Sequence, residues 1–389
     1  VLLISKTFQR FLDSEQASSV LLMLTTVLAL LIANSLFASH YHDVWHSHWL
    51  GLSLEEWVND GLMAVFFLLI GLELKRELYV GELSSLNHAL LPTIAALGGM
   101  LVPALIFWLL NQGTPYQAGV GIPMATDIAF ALGVLSILGN RVPASLKVFL
   151  VAFAVIDDLG AAIMIAVFYT ASISLPHLLA AFIVLALLFA LNRLRVISLV
   201  PYVLGGAFMW WLTLKSGVHA TLAGIALAFA IPFKHHAADE DSPSHQLEHA
   251  LHRPVAFLIL PLFAFANTGV HLEAGSLQAV FSHSNSQGIL AGLILGKPVG
   301  ITLAVALSVW LGLCKLHAPL RWTHIFGAAM LGGIGFTMSI FITNLAFDSM
   351  PDAINLSKMA ILAGSVVSGL LGWLWLNVTL DRSVAAASR

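Results

Sequence analysis

Charge is what this chain has least of. Only 10% of its 389 residues are Asp, Glu, Lys or Arg, against about 25% in an ordinary soluble domain. That shortage excludes a solvated surface over most of the length. A single cysteine, Cys314, rules out an internal disulfide and any multi-cysteine metal cluster. Basic residues are not in excess either. With 17 Lys and Arg against 20 Asp and Glu, the formal charge of -3 gives nucleic acid no electrostatic footprint. Long polar stretches are missing too; the longest, 234–248, is loop-sized, so no separate soluble domain fits. What remains is apolar: 59% hydrophobic, with mean hydropathy +0.92. Runs of about 20 apolar residues are the length of a bilayer-crossing helix. The composition therefore describes an all-α polytopic membrane protein whose partner is the lipid bilayer.

Twelve apolar runs lie near 14–34, 57–80, 87–110, 117–139, 143–170, 175–192, 198–214, 217–233, 250–271, 287–311, 322–347 and 354–378. The first leads directly into the others, as a first span does and a cleaved leader does not. Residues 1–13 alternate Leu2, Leu3, Ile4, Phe8, Phe11 and Leu12 with Lys6 and Arg10, which suits a short helix on the membrane surface. The whole chain, 1–389, reads as one transporter domain.

Basic residues test the count independently. With the N-terminus cytoplasmic, one side holds Lys6/Arg10, Lys75/Arg76, Arg141/Lys147, Arg193/Arg195, Lys234/Arg253, Lys315/Arg321 and Arg382/Arg389, fourteen of the 17 Lys and Arg. Such asymmetry is the positive-inside pattern, and a miscounted span would scramble it. Both termini are then expected on the cytoplasmic side.

Two spans are poorly suited to continuous helix. In the fourth, Gly119, Gly121 and Pro123 precede Thr126 and Asp127. Proline removes a backbone donor and clashes with the preceding turn, so unwinding is expected there. In the eleventh, Gly332, Gly333 and Gly335 fall at mid-span. Unpaired backbone at that depth is tolerable only facing a cavity or a ligand. A pair of interrupted spans in corresponding positions points to a transport site between inverted repeats, here spans three to five and ten to twelve, about 87–170 and 287–378. The alternative is that the glycines serve only close helix packing.

The charges inside the apolar layer converge on the same places. They are Asp127, the adjacent pair Asp157 and Asp158, and Lys297, with Asp60 near the end of the second span. Each such group costs at least about 2.5–3.5 kcal/mol to insert, so a chain keeps it for function. Buried charges persist by pairing. Asp157 and Asp158 point about 100° apart on a helix, so one is expected to pair with Lys297 and the other to face a water-filled cavity. Carboxylates, the Thr126 hydroxyl and free carbonyls are hard oxygen donors suited to an alkali cation; softer metals call for Cys or His. Two carboxylates about 5–6 Å apart repel by about 3 kcal/mol at an effective dielectric of 20, so a cation and protons compete for the same oxygens. By dipole logic, Asp127 would neutralise the positive ends of the two broken helices and Lys297 the negative ends.

These residues carry a resemblance. The chain resembles the NhaA-type Na+/H+ antiporters of bacteria in seven stretches: Asn59–Phe67, Gly71–Leu78, Ala125–Gly133, Ile156–Gly160, Lys215–Gly224, Gly296–Pro298 and Gly333–Ser339. The resemblance implies twelve helices with crossed, discontinuous fourth and eleventh spans. It further implies an inner-membrane antiporter exchanging two protons for one Na+ or Li+, electrogenically, with no resident cofactor. Asp158 would be the principal cation ligand and Asp157 the partner that binds a proton or Lys297. Asp127 with Lys297 would supply compensating charges, and Thr126 would lie beside the site. The resemblance also implies activation at alkaline pH through Glu73, Glu77, Glu248, His249 and His252, with His219 in the eighth span. Read plainly, Glu73, Lys75, Arg76 and Glu77 also suit an ordinary charged helix end, and His249 with His252 a solvated loop. A homodimer is implied as well. The family's hairpin between the first two spans has little room here, because His40 to Glu56 is short for two strands.

An intramembrane aspartyl protease would also need two membrane carboxylates. Its Gly-x-Gly-Asp motif is missing, adjacent aspartates make poor geometry for a shared water, and Lys297 would have no task. A passive cation channel and a sodium-coupled symporter remain as alternatives that a proton-flux assay separates.

Overall fold

The computed structural model describes residues 6–170, 173–233, 242–271, 275–316 and 320–380. Helix α1 (Lys6–Ala33) runs without interruption, so residues 6–13 continue into the first span. After it come α2 (Ala38–His46), strands β1 (His48–Trp49) and β2 (Leu52–Ser53), α3 (Leu54–Tyr79) and α4 (Leu86–Asn111). A 3-10 segment (Pro115–Met124) leads to α5 (Ile128–Ile137), α6 (Ala144–Phe168), α7 (Leu175–Arg193), α8 (Val200–Ser216) and α9 (Leu222–Ala230). The remainder is α10 (Pro243–Asn267), α11 (Ser276–Ser282), α12 (Ser284–Trp310), α13 (Trp322–Gly332), α14 (Phe336–Ala346) and α15 (Pro351–Thr379).

Among the described residues, eight helices are long and apolar enough to cross a membrane, or ten if each of two bent pairs is one span. The run expected at 198–214 is α8, 17 residues long. The run expected at 217–233 is only partly helical. Gly217, at φ +82°, ends α8 in the left-handed conformation. The nine residues of α9 that follow span only about 13 Å, less than half a bilayer core.

The segment from His40 to Glu56 departs from expectation. It does hold a hairpin, reduced to two residues per strand, with His48 opposite Ser53 and Trp49 opposite Leu52. The turn residues Leu50 and Gly51 both take positive φ, 52° and 86°, which is what a two-residue hairpin turn demands. Ser53 then caps α3 through a capping box with Glu56, so strand and span join without a loop.

The chain forms two compact units: residues 1–24, 85–161 and 270–389 in the first, and 25–84 with 162–269 in the second. In the first, α4 and α12 pack backbone to backbone. A Cβ on Gly98 would lie 2.3 Å from the Gly300 carbonyl, and one on Gly300 2.2 Å from the Gly98 carbonyl. Small residues allow that approach, the usual way helices associate where lipid removes the hydrophobic drive. In the second, α3, α7, α8 and α9 enclose a core of Leu68, Leu72, Leu188, Tyr202, Met209 and Leu227. The Lys75 ammonium enters that core and donates to the carbonyls of Ala228, Phe229 and Ile231, capping the C-terminal end of α9. Outward faces stay apolar, with Trp310 and Val378 each 80% exposed, as lipid contact requires.

Candidate functional site

Both expected interruptions are present. The fourth span changes from the 3-10 segment to α5 across Ala125–Asp127, with a bend of 43°. The eleventh changes from α13 to α14 across 333–335, with a bend of 44°. The part before the first break is wound as 3-10 throughout rather than as α-helix, an unusually long run of that form.

The two breaks touch. Asp127 N–H donates to the Ile334 carbonyl at 2.6 Å. The Thr126 hydroxyl donates to the Gly332 carbonyl at 2.8 Å, at the C-terminal end of α13. Ser339 Oγ of α14 donates to the Ile122 carbonyl at 2.7 Å, within the 3-10 segment. Each side thus satisfies backbone groups that the other leaves bare, which is how irregular chain survives at this depth.

Asp127 serves two helix N-termini. Oδ1 accepts from Phe130 N–H at 3.0 Å, capping α5, while Oδ2 accepts from Thr337 N–H at 3.1 Å and from the Thr337 hydroxyl, capping α14. The carboxylate therefore sits where both positive helix ends meet, at 2% exposure.

Lys297 is fully enclosed. Its ammonium donates to Asp157 Oδ2 at 2.8 Å and to Thr126 Oγ1 at 2.7 Å, and lies 5.7 Å from the centre of the Phe153 ring. It reaches the negative end of α13 only through the Thr126 hydroxyl, which passes its own hydrogen to Gly332. The carboxylate that pairs with Lys297 is Asp157. Asp158, one residue on in α6, is 1% exposed within the first unit. Thr126, Lys297 and Asp157 are thus joined by direct contacts, with Asp127 next to Thr126 and Asp158 next to Asp157 in sequence, and all five are buried.

The residues singled out for pH response lie in the second unit. Arg76 joins Glu77 at 3.2 Å to Glu248 at 3.1 Å. His252 Nδ1 stands 3.9 Å from Glu73. His249 is beside Glu248 in α10 and exposed. His219 is apart from this cluster, with Nε2 at 2.9 Å from the Tyr169 carbonyl. Among the described residues no group of three or more His, Cys, Asp or Glu is arranged to hold a metal.

Sequence reasoning missed Thr337 as the second capping partner of Asp127, and Arg76 as the hub of the acidic cluster. The first had a signal, since a Thr just after a glycine break falls in the first turn of the next helix. The second could be read only as one more charge at a helix end.

A helical membrane chain with two touching interrupted spans and an enclosed lysine–carboxylate pair is built as a transporter, not as an enzyme. The sequence profile of the family Na+/H+ antiporter 1 matches residues 9–376. A Na(+)/H(+) antiporter NhaA of Dechloromonas aromatica is 62% identical over 375 residues, covering 96% of both chains. One from Cytophaga hutchinsonii is 54% identical over 382 residues, covering 98% of each. The chain belongs to the Na+/H+ antiporter 1 family of bacterial multi-pass membrane proteins.

Proposed function

We propose that the protein moves Na+ or Li+ out of the cell in exchange for external protons, two protons per cation. The exchange is electrogenic, sits in the inner membrane and serves sodium tolerance and internal pH. The observation that carries this reading is the enclosed Lys297–Asp157 pair beside Asp158 at the touching breaks. Asp158 is the principal cation ligand. Asp157 exchanges its hold on Lys297 for a share in the cation or for a proton. Thr126 supplies a neutral oxygen, while Asp127 keeps the two positive helix ends compensated in every state. A cation and protons thus take turns on one set of oxygens, and only the charge-compensated site crosses.

In this reading the chain has twelve spans, with α8 as the seventh and α9 the helical part of the eighth. Repeats of spans three to five and ten to twelve cross at the fourth and eleventh. Both termini are cytoplasmic, and the chain forms a homodimer. Glu73, Glu77, Glu248, His249, His252 and His219 set an alkaline activation.

Acid-loaded everted vesicles test the exchange. Na+ and Li+ are expected to alkalinise the lumen of wild-type vesicles, and Asp158→Asn to abolish that response. An undiminished response in Asp158→Asn removes the site assignment; sodium uptake without proton movement would indicate a channel instead.

A further inference from the structure

The helix that carries Lys297 is wound differently just before it. Over Gly292–Gly296, α12 makes a π turn, closed by the Lys297 N–H donating to the Gly292 carbonyl five residues back. Pro298 follows and has no N–H to give. The Leu293 carbonyl therefore lacks a donor either four or five residues ahead: Lys297 N–H is engaged with Gly292, and position 298 offers none. A different helix takes it up. Ser368 Oγ of α15 donates to Leu293 O at 3.4 Å. Long as that bond is, a buried carbonyl left bare costs about 1–3 kcal/mol.

The same carbonyl limits what can stand at the eleventh-span break. A Cβ on Gly333 would lie 2.4 Å from Leu293 O and 2.7 Å from Ser368 Oγ. On another face of the turn, a Cβ on Gly292 would lie 2.5 Å from Pro123 Cβ, in the segment leading to the fourth-span break. The π turn is thus wedged between both interruptions. Rewinding it as α-helix would swing Lys297 by about a quarter turn relative to Gly292. At that rotation the ammonium no longer meets Asp157 and Thr126.

We propose that the π turn Gly292–Gly296 sets the register that aims Lys297 at Asp157, with Ser368 and Gly333 as its positioning residues. A shift at either break reaches the ion pair as a rotation of Lys297. The transport consequence rests on the exchange proposed above; the geometric claim does not.

The test is a thermal-unfolding cycle on the purified full chain, combining Ser368→Ala with Lys297→Met. Ser368→Ala is expected to lower Tm in the wild-type background and to lose at least half of that effect in the Lys297→Met background. Ser368→Thr, which keeps the hydroxyl, is expected to retain the wild-type Tm. Equal losses in both backgrounds overturn the proposal. Should Ser368→Ala not be recovered folded, Pro298→Ala goes through the same cycle, because it returns an N–H to the turn; its effect must likewise depend on Lys297. In vesicles, Ser368→Ala is expected to slow Na+-driven proton movement several-fold and Ser368→Thr to restore it. A wild-type chain with no such movement would remove the proposed exchange and leave the cycle to judge the π turn.

Discussion

Asp127 and Thr337, 210 positions apart, share one carboxylate oxygen, which accepts both the backbone N–H and the hydroxyl of the threonine. Through that oxygen a residue capping one half-helix also caps another. Hydrogen bonds to charged groups contribute about 1.5–3 kcal/mol in soluble proteins, while side-chain bonds between membrane helices average about 0.6. The charged acceptor places Thr337→Val nearer the upper figures, with an expected loss of about 1–2 kcal/mol. Thermal unfolding in detergent measures it, and an unchanged Tm would show that the hydroxyl bond carries no weight.

The Lys297–Asp157 pair gives a larger effect of a different shape. Removing one partner of a buried ion pair leaves an uncompensated charge, at a cost of about 3–5 kcal/mol. Lys297→Met and Asp157→Asn are each expected to destabilise strongly, and the double variant by much less than the two losses together. Strictly additive losses would contradict the 2.8 Å contact.

Lys75 has three backbone carbonyls and, among the described residues, no ion pair with a carboxylate in the structure. Its substitution by Met leaves the C-terminal carbonyls of α9 unsatisfied. About 1–3 kcal/mol of stability should go with it, and amide exchange in α9 should rise ahead of that in α7. Arg is not expected to substitute, because a planar fork does not reproduce a point charge among three oxygens.

Tyr41, outside the spans on α2, predicts a pH dependence. Its hydroxyl donates to the Phe265 carbonyl, and burial pushes its pKa up to about 12 from the ordinary phenol value of 10.0. The folded chain then holds a proton that the unfolded chain releases. Stability from this group is complete below pH 10 and lost as pH rises towards 12. The fall in Tm over that window should be shallower in Tyr41→Phe, whose Tm is lower than wild type at neutral pH. Parallel profiles would exclude the phenol as the source.

Much of this was legible because a membrane penalises charge so heavily. Asp127, Asp157, Asp158 and Lys297 stand out against an apolar background, and Pro123 with Gly333 marks where the chain opens. Spacing alone left open which aspartate meets Lys297, since two neighbours on a helix are interchangeable until packing sets the rotation; only the family resemblance pointed to Asp157. The 3-10 winding of Pro115–Met124 and the π turn before Lys297 had no periodic signal, because each changes the pitch by less than one residue per turn. The hairpin was misjudged on length alone, although Gly51 invited the turn that makes two-residue strands possible.

Thr126 has one hydrogen and gives it to Gly332, so what it offers Lys297 is a lone pair. In the exchange proposed above, withdrawal of the ammonium would leave that lone pair already aimed, with no rotation of the hydroxyl needed to meet a cation. The side chain is held as an acceptor of fixed direction, because its one hydrogen is already committed.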